Sequence, residues 1–296
     1  MQVVTFENET LRVDVWPRLG GKVSSVVDKS DGFELLFNYP AEIPTEPMYG
    51  RKYDSTWYAG WDECFPAVGQ GPYAGHPYDG ITIPDHGEIY AIPVTTAVPS
   101  ANGITTVWNG LRFGYRLTRK LELTPTGLRA GYTLANLAPF EFRFVWAQHA
   151  LLSLESPATI DLPGVTEMRW SHDAAGREVQ RPFCWPTIDG EGDLSNPSDL
   201  PVAGWKVFAQ TPIAAAARLK YPQRRRALSI SYAGDVPAYW GIWINTGGWN
   251  HQRHVALEPT TGRFDQLDRS VQDHSAGRVA PGATVQWQVE WTVCAL

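Results

Sequence analysis

Glu258 ends a short alternating run that starts at Arg253, and it is followed at once by Pro259 and by a turn containing Gly262. A carboxylate at the mouth of a strand, on stiff backbone, is well placed to take a proton. Successive strand side chains alternate, so His254, Ala256 and Glu258 point one way while Val255 and Leu257 point the other. His251 and His254 are three apart and share no strand face, which argues against a metal site built on His251, His254 and Glu258. Two more imidazoles stand out. His86 sits in Asp85-His86-Gly87-Glu88, where the glycine permits a sharp turn or a close backbone approach. His149 lies near the end of the apolar stretch from Phe140 to Leu154. Together with one carboxylate, such imidazoles form a general acid–base set. Taken singly, each has an ordinary alternative: a strand-end glutamate, a turn histidine, a hydrogen-bonded core histidine.

The elements that must position these groups read as β structure. Leu111, Phe113, Tyr115, Leu117, Leu121 and Leu123 fall on one parity, opposite Arg112, Arg116, Lys120 and Glu122, which predicts a half-buried antiparallel strand. Leu128, Ala130, Tyr132 and Leu134 repeat the pattern after a Pro125-Thr126-Gly127 turn. Phe140 to Leu154 is apolar on both faces, as in a central strand covered on each side. Further strands are expected at 2–16, 20–28, 89–98, 207–217, 227–232 and 239–245. The C-terminal run Val285, Trp287, Val289, Trp291 is expected to close the sheet. No amphipathic helix of three turns and no internal repeat is visible. The stretch 39–84 loses periodicity and reads as a segment folded over one end of the sheets. It carries Trp61, Asp62 and Glu63 at what reads as a binding rim. Asp189, Glu191 and Asp193 alternate, but EF-hand spacing is absent, so they read as a solvated excursion.

Composition narrows the possible functions. There are 296 residues with 43% hydrophobic, 13 Trp, 12 Tyr, 27 Gly and 23 Pro, enough for one large all-β unit with aromatic strands and Gly/Pro turns. The net charge of -6 argues against a nucleic-acid or anionic-membrane surface. The basic cluster Arg218 to Arg226 reads as a solvated hairpin. Three cysteines without CxxC spacing suggest neither a disulfide framework nor structural zinc. With no signal peptide and no membrane span, a cytoplasmic location is expected. No P-loop, GxSxG elbow or GxGxxG motif is present.

Five segments in this order, LGGKVSSVVDKSDGFELL, AGWDECFP, DHGE, WAQHALLSL and ALEPTTGR, resemble the aldose 1-epimerase (galactose mutarotase-like) family. The similarity spreads over residues 11–291. It implies an all-β fold, a large antiparallel β sandwich of the galactose mutarotase-like supersandwich type, with residues 1–296 as a single sugar-binding domain. By the resemblance, Glu258 matches the base, His149 the acid, expected to be charged, and His86 an assisting histidine. Arg51 is the candidate for an arginine that grips the sugar. Trp61, Trp243 and Trp249 are candidates for stacking on the sugar face, and Asp62 for accepting from a hydroxyl. No cofactor or metal is implied. The expected partner is a small-molecule sugar, free or phosphorylated. A non-catalytic sugar-binding protein of the same fold is the alternative.

Overall fold

In the computed structural model, which describes residues 3–38, 46 and 48–296, the alternating segments pair as antiparallel strands in two large sheets. Among the described residues the larger sheet has twelve strands. Its main path runs Val4–Glu7, Leu11–Trp16, Lys22–Asp28, Trp61–Cys64, Ala147–Ala150, Arg253–Thr260, Tyr239–Thr246, Gly204–Ala209, Glu167–Asp173 and Glu178–Cys184. The smaller sheet has eight, in the order Thr159–Asp161, Ala217–Tyr221, Arg226–Gly234, Thr284–Ala295, Gly127–Asn136, Tyr115–Thr124, Gly103–Asn109 and Thr96–Ser100. One α-helix, Leu267–Gln272, follows the Arg253–Thr260 strand. Among the described residues no helix is long and apolar enough to cross a membrane.

Parity becomes burial as expected along Tyr115–Thr124 and Gly127–Asn136. Leu117 and Leu121 are buried opposite Leu134 and Ala130, while Arg116 and Lys120 face out. The inner faces of the two sheets share one apolar core, in which Trp61 stacks on Trp291 of the facing sheet with ring centroids 5.0 Å apart. Within that core lies a charged knot. Glu63 accepts from Trp61 Nε1 (3.0 Å), Arg119 Nη1 (3.1 Å), Tyr132 OH (2.8 Å) and Trp146 Nε1 (2.8 Å). Buried charge persists only when paired and hydrogen-bonded, and here both conditions hold.

Several elements depart from the sequence expectations. Phe140 to Leu154 does not form one strand. Phe142–Phe144 pairs with Gly277–Val279 in a separate ribbon, and the chain then crosses into the large sheet as Ala147–Ala150. Leu111 and Phe113 precede their strand, in a turn whose amides at 111 and 112 are taken by Glu88. Residues 89–91 form a 3-10 turn, with strand only from Thr96. The C-terminal strand lies in the middle of its sheet, between Arg226–Gly234 and Gly127–Asn136, and so does not close it. Cluster residues Arg218, Lys220, Arg224 and Arg226 are ion-paired with Asp161, Glu155, Asp31 and Asp28. Of the 39–84 segment, residues 39–45 and 47 lie outside the described ones. Tyr53, Trp57 and Tyr58 from its remainder pack over the outer face of the large sheet.

Candidate functional site

The site is a row of side chains on that outer face. Trp61 and Glu63 point into the core, so Asp62 and Cys64 point outward. Asp62 stands opposite His149. The partners Ala147 with Thr260 and Leu152 with Val255 fix one register, which sets His149 opposite Glu258 on the adjoining strand. On the far side Glu258 faces Gly241, which has no side chain, and Lys206 reaches over it from the next strand. Its Nζ lies 2.7 and 2.6 Å from the two Glu258 oxygens and 3.6 Å from Asp265 Oδ1. At the other end of the row, Lys22 and Tyr53 OH both bond Asp62 Oδ2, the latter at 2.7 Å.

His86 reaches this row from the loop above. Its φ is +59° and that of Gly87 is +75°, two consecutive left-handed residues. A Cβ on Gly87 would lie 2.2 Å from the Phe65 carbonyl oxygen, so only glycine lets the loop run so close to the Trp61–Cys64 strand. His86 Nδ1 is 2.9 Å from Asp85 Oδ1. The His86 ring stacks on Tyr53 at 3.7 Å and meets His149 edge-on at 4.9 Å.

A cavity of about 330 Å³ opens over these groups, lined among others by Tyr53, His86, His149, Lys206, Trp243 and Trp249. That is near the lower end for small-ligand pockets, roughly 300–1,000 Å³. Burial pushes the Glu258 carboxyl above its ordinary range, and Asp265 adds to this while Lys206 opposes it. Burial alone would lower Lys206, but the charges of Asp265 and Glu258 win and raise it. One ammonium thus serves two carboxylates. Asp85 is pushed up by burial, yet the His86 charge and hydrogen bond bring it below its ordinary value.

His149 is held well below the usual histidine range by burial, then by the neighbouring His86 and the ammonium of Lys206. It is therefore neutral at neutral pH, which corrects the expectation of a charged imidazole at this position. His254, the buried neighbour whose Nε2 accepts from Trp243 Nε1 at 3.1 Å, is lowered by burial to about 3. Both histidines ionise near 6.5 when unfolded, so the stability they contribute is full above that pH and is lost as pH falls. His254 alone is expected to cost roughly 2 kcal/mol by pH 5. Urea midpoints should decline from pH 6.5 to 5, and His254→Gln should flatten the decline. A wild-type midpoint constant over that window would contradict the assignment.

No family model matches the chain, and no curated protein matches it in sequence. Solved structures do match in shape. A candidate aldose 1-epimerase from Escherichia coli is 16% identical, with TM-score 0.73 over 100% of this chain and 99% of that one. A galactose mutarotase-like protein from Lactobacillus casei is 19% identical, with TM-score 0.70 over 99% of this chain and 100% of the other. One from Clostridium acetobutylicum is 15% identical, with TM-score 0.72 over 99% and 95%. The fold is galactose mutarotase-like.

Within this galactose mutarotase-like fold, His86, His149, Trp243 and Trp249 line the cavity. Glu258 lies beneath it, fully buried and covered by Lys206. Trp61 is a core residue and cannot stack on a ligand in the cavity. Glu63 is likewise in the core, which corrects its placement at a rim. Asp62 is occupied by Lys22 and Tyr53 and lies outside the cavity lining, and Arg51 is exposed and also outside it. Sequence reasoning missed Lys206, Asp265, Tyr53 and Asp85. Lys206 had a signal, since it is the lone charge in the otherwise apolar run Trp205 to Ala209. Asp265 had none.

Proposed function

We propose that this protein interconverts the α and β anomers of a free, uncharged aldose by acid–base ring opening. The observation that carries this reading is the convergence of His86, His149 and the Glu258–Lys206 pair on one cavity of small-ligand size. Glu258, more basic than an exposed glutamate, takes the proton of the anomeric hydroxyl. To reach it, the hydroxyl displaces Lys206 from one carboxylate oxygen. Asp265 Oδ1, buried and without a hydrogen-bond partner, stands 3.6 Å from Nζ to receive the ammonium. His86, backed by Asp85, delivers a proton to the ring oxygen. His149, being neutral, holds that oxygen with one N–H and carries no proton of its own to give. Ring opening, rotation about the first carbon–carbon bond and closure on the other face then run the same transfers in reverse. Each positioned acid or base contributes about 10²- to 10⁴-fold.

The choice of an uncharged sugar follows from the walls. Asp54, Asp85, Asp173 and Asp265 outnumber Lys52 and Lys206, a balance that repels a phosphate group. A second reading, sugar binding without turnover, is favoured by one observation: Lys206 engages both oxygens of the would-be base.

Polarimetry on freshly dissolved α-glucose and α-galactose, beside their 6-phosphates, separates the readings. Accelerated mutarotation of a free sugar, with little on the phosphates, is expected. Saturable binding without acceleration leaves the second reading, and neither binding nor acceleration removes both.

A further inference from the structure

Beneath the cavity, three potential metal ligands meet from distant parts of the chain. Cys64 Sγ, a ring nitrogen of His86 and a ring nitrogen of His149 all lie within 4.8 Å of one another. Cys64 is fully buried and is not in a disulfide. His149 is 7% exposed and its Nδ1 is buried with no hydrogen-bond partner, an arrangement that costs about 1–3 kcal/mol unless something takes the nitrogen. His86 has its Nδ1 on Asp85 Oδ1 at 2.9 Å, which leaves Nε2 with a lone pair. A carboxylate behind one ring nitrogen is what metal-bound histidines typically show, because it fixes the tautomer and makes the other nitrogen a better donor.

We propose that Cys64, His86 and His149 form a binding site for a thiophilic divalent transition metal of the zinc class. Zinc bonds to sulfur of about 2.3 Å and to nitrogen of about 2.0–2.1 Å require donor atoms closer together than the observed limit. Side-chain rotation of His86, which sits on a loop, supplies the difference. One thiolate and two neutral imidazoles make a three-ligand set, with the fourth tetrahedral position facing the cavity, as zinc sites with an exchangeable ligand are built. Binding breaks the S–H bond of Cys64, forms the sulfur–metal bond and releases the proton to solvent. Glu258 and Asp62 already have cationic partners in Lys206 and Lys22, so the thiolate is the anion that balances the metal. The proposal stands apart from the anomerisation reading. If both hold, the metal takes the lone pairs that proton transfer needs and the two states exclude each other.

Metal binding is tested on the full chain without reference to turnover. Chelator-stripped protein titrated with Zn²⁺ is expected to take up about one equivalent per chain. With Co²⁺ as the probe it should show a near-ultraviolet thiolate-to-metal charge-transfer band and visible bands of tetrahedral intensity. Cys64→Ser should abolish the charge-transfer band, while Cys184→Ser, at an exposed cysteine, should keep it. Asp85→Asn should weaken binding by about 10- to 100-fold. Should Cys64→Ser fold poorly, His86→Ala on the loop serves instead, and it should shift the cobalt spectrum and lower the affinity at least as much as Asp85→Asn. Absence of a charge-transfer band in the wild type, its persistence in Cys64→Ser, or cobalt binding unchanged in His86→Ala would each overturn the proposal.

Discussion

Glu258→Gln is expected to lower the rate of anomer exchange by about 10²- to 10⁴-fold while leaving the protein at least as stable as the parent. The two halves of this result have one origin. Burial and the nearby Asp265 raise the Glu258 carboxyl above its ordinary 4.5. A group raised on folding contributes most below its unfolded value and loses that contribution as pH rises through the folded one. At neutral pH the ionised carboxylate is therefore carried at a cost to the fold. Glutamine keeps an acceptor for Lys206 and removes the charge, leaving one ammonium with Asp265 alone. Loss of activity with no loss of thermal stability is the pattern of a residue retained for chemistry. Polarimetric progress curves and thermal melts on the same preparation decide it, and a parent-like rate in the variant would remove Glu258 from the mechanism.

Arg119→Met should give the largest loss of stability, about 3–5 kcal/mol, because it strands a carboxylate in the core. Arg119 and Glu63 are both wholly buried, 3.1 Å apart. The guanidinium also donates to the Gly21 carbonyl at 2.5 Å and lies against Trp61 and Trp108. Glu63 is pushed upward by burial even with Arg119, Tyr132 and Trp146 opposing that shift, so without Arg119 its anion loses the cation it is paired with. Breaking a buried pair costs far more than replacing it whole. Accordingly Arg119→Met with Glu63→Gln should recover most of the loss, a coupling that a double-mutant cycle reads directly. Urea denaturation is the measurement, with a lower midpoint at unchanged slope expected. A loss under about 1 kcal/mol would mean that the pair behaves like an exposed one.

The parts of the molecule legible in sequence are those set by a period of two. The Tyr115–Thr124 and Gly127–Asn136 pair follows the alternation of Leu117, Leu121, Leu128 and Leu134, and the shared face of His254 and Glu258 follows from the same rule. Position within a sheet was not legible. Val285 to Trp291 looks the same in a middle strand as at an edge, since parity reports which face is buried and says nothing of the neighbours on either side. The break at Val145 and Trp146 was equally hidden, because their amides are taken by Pro66 and by the Thr261 hydroxyl, partners remote in the chain. Motif resemblance located His86, His149 and Glu258. It did not report the protonation of His149, which depends on how deeply the ring is buried and on which cations surround it. Lys206 escaped because its importance comes from Glu258, two strands away across the side-chain-free Gly241, a relation between strands that the local pattern does not record.

The four-residue strand Trp61–Cys64 carries a carboxylate on each face, Asp62 toward Lys22 and Glu63 toward Arg119. By charge alone, a slide of one residue along its neighbours would exchange two acids and look nearly harmless. The count of donors forbids it: Glu63 satisfies four groups where Asp62 satisfies two. The shorter Asp62 turned inward would leave indole and phenol hydrogens bare in a dry interior, at about 1–3 kcal/mol each. It would also eject Trp61 onto the opposite side. The cavity floor is thus indexed from behind, by the side it does not show. The strand's place is set from the core side, whatever Asp62 and Cys64 do on the other face.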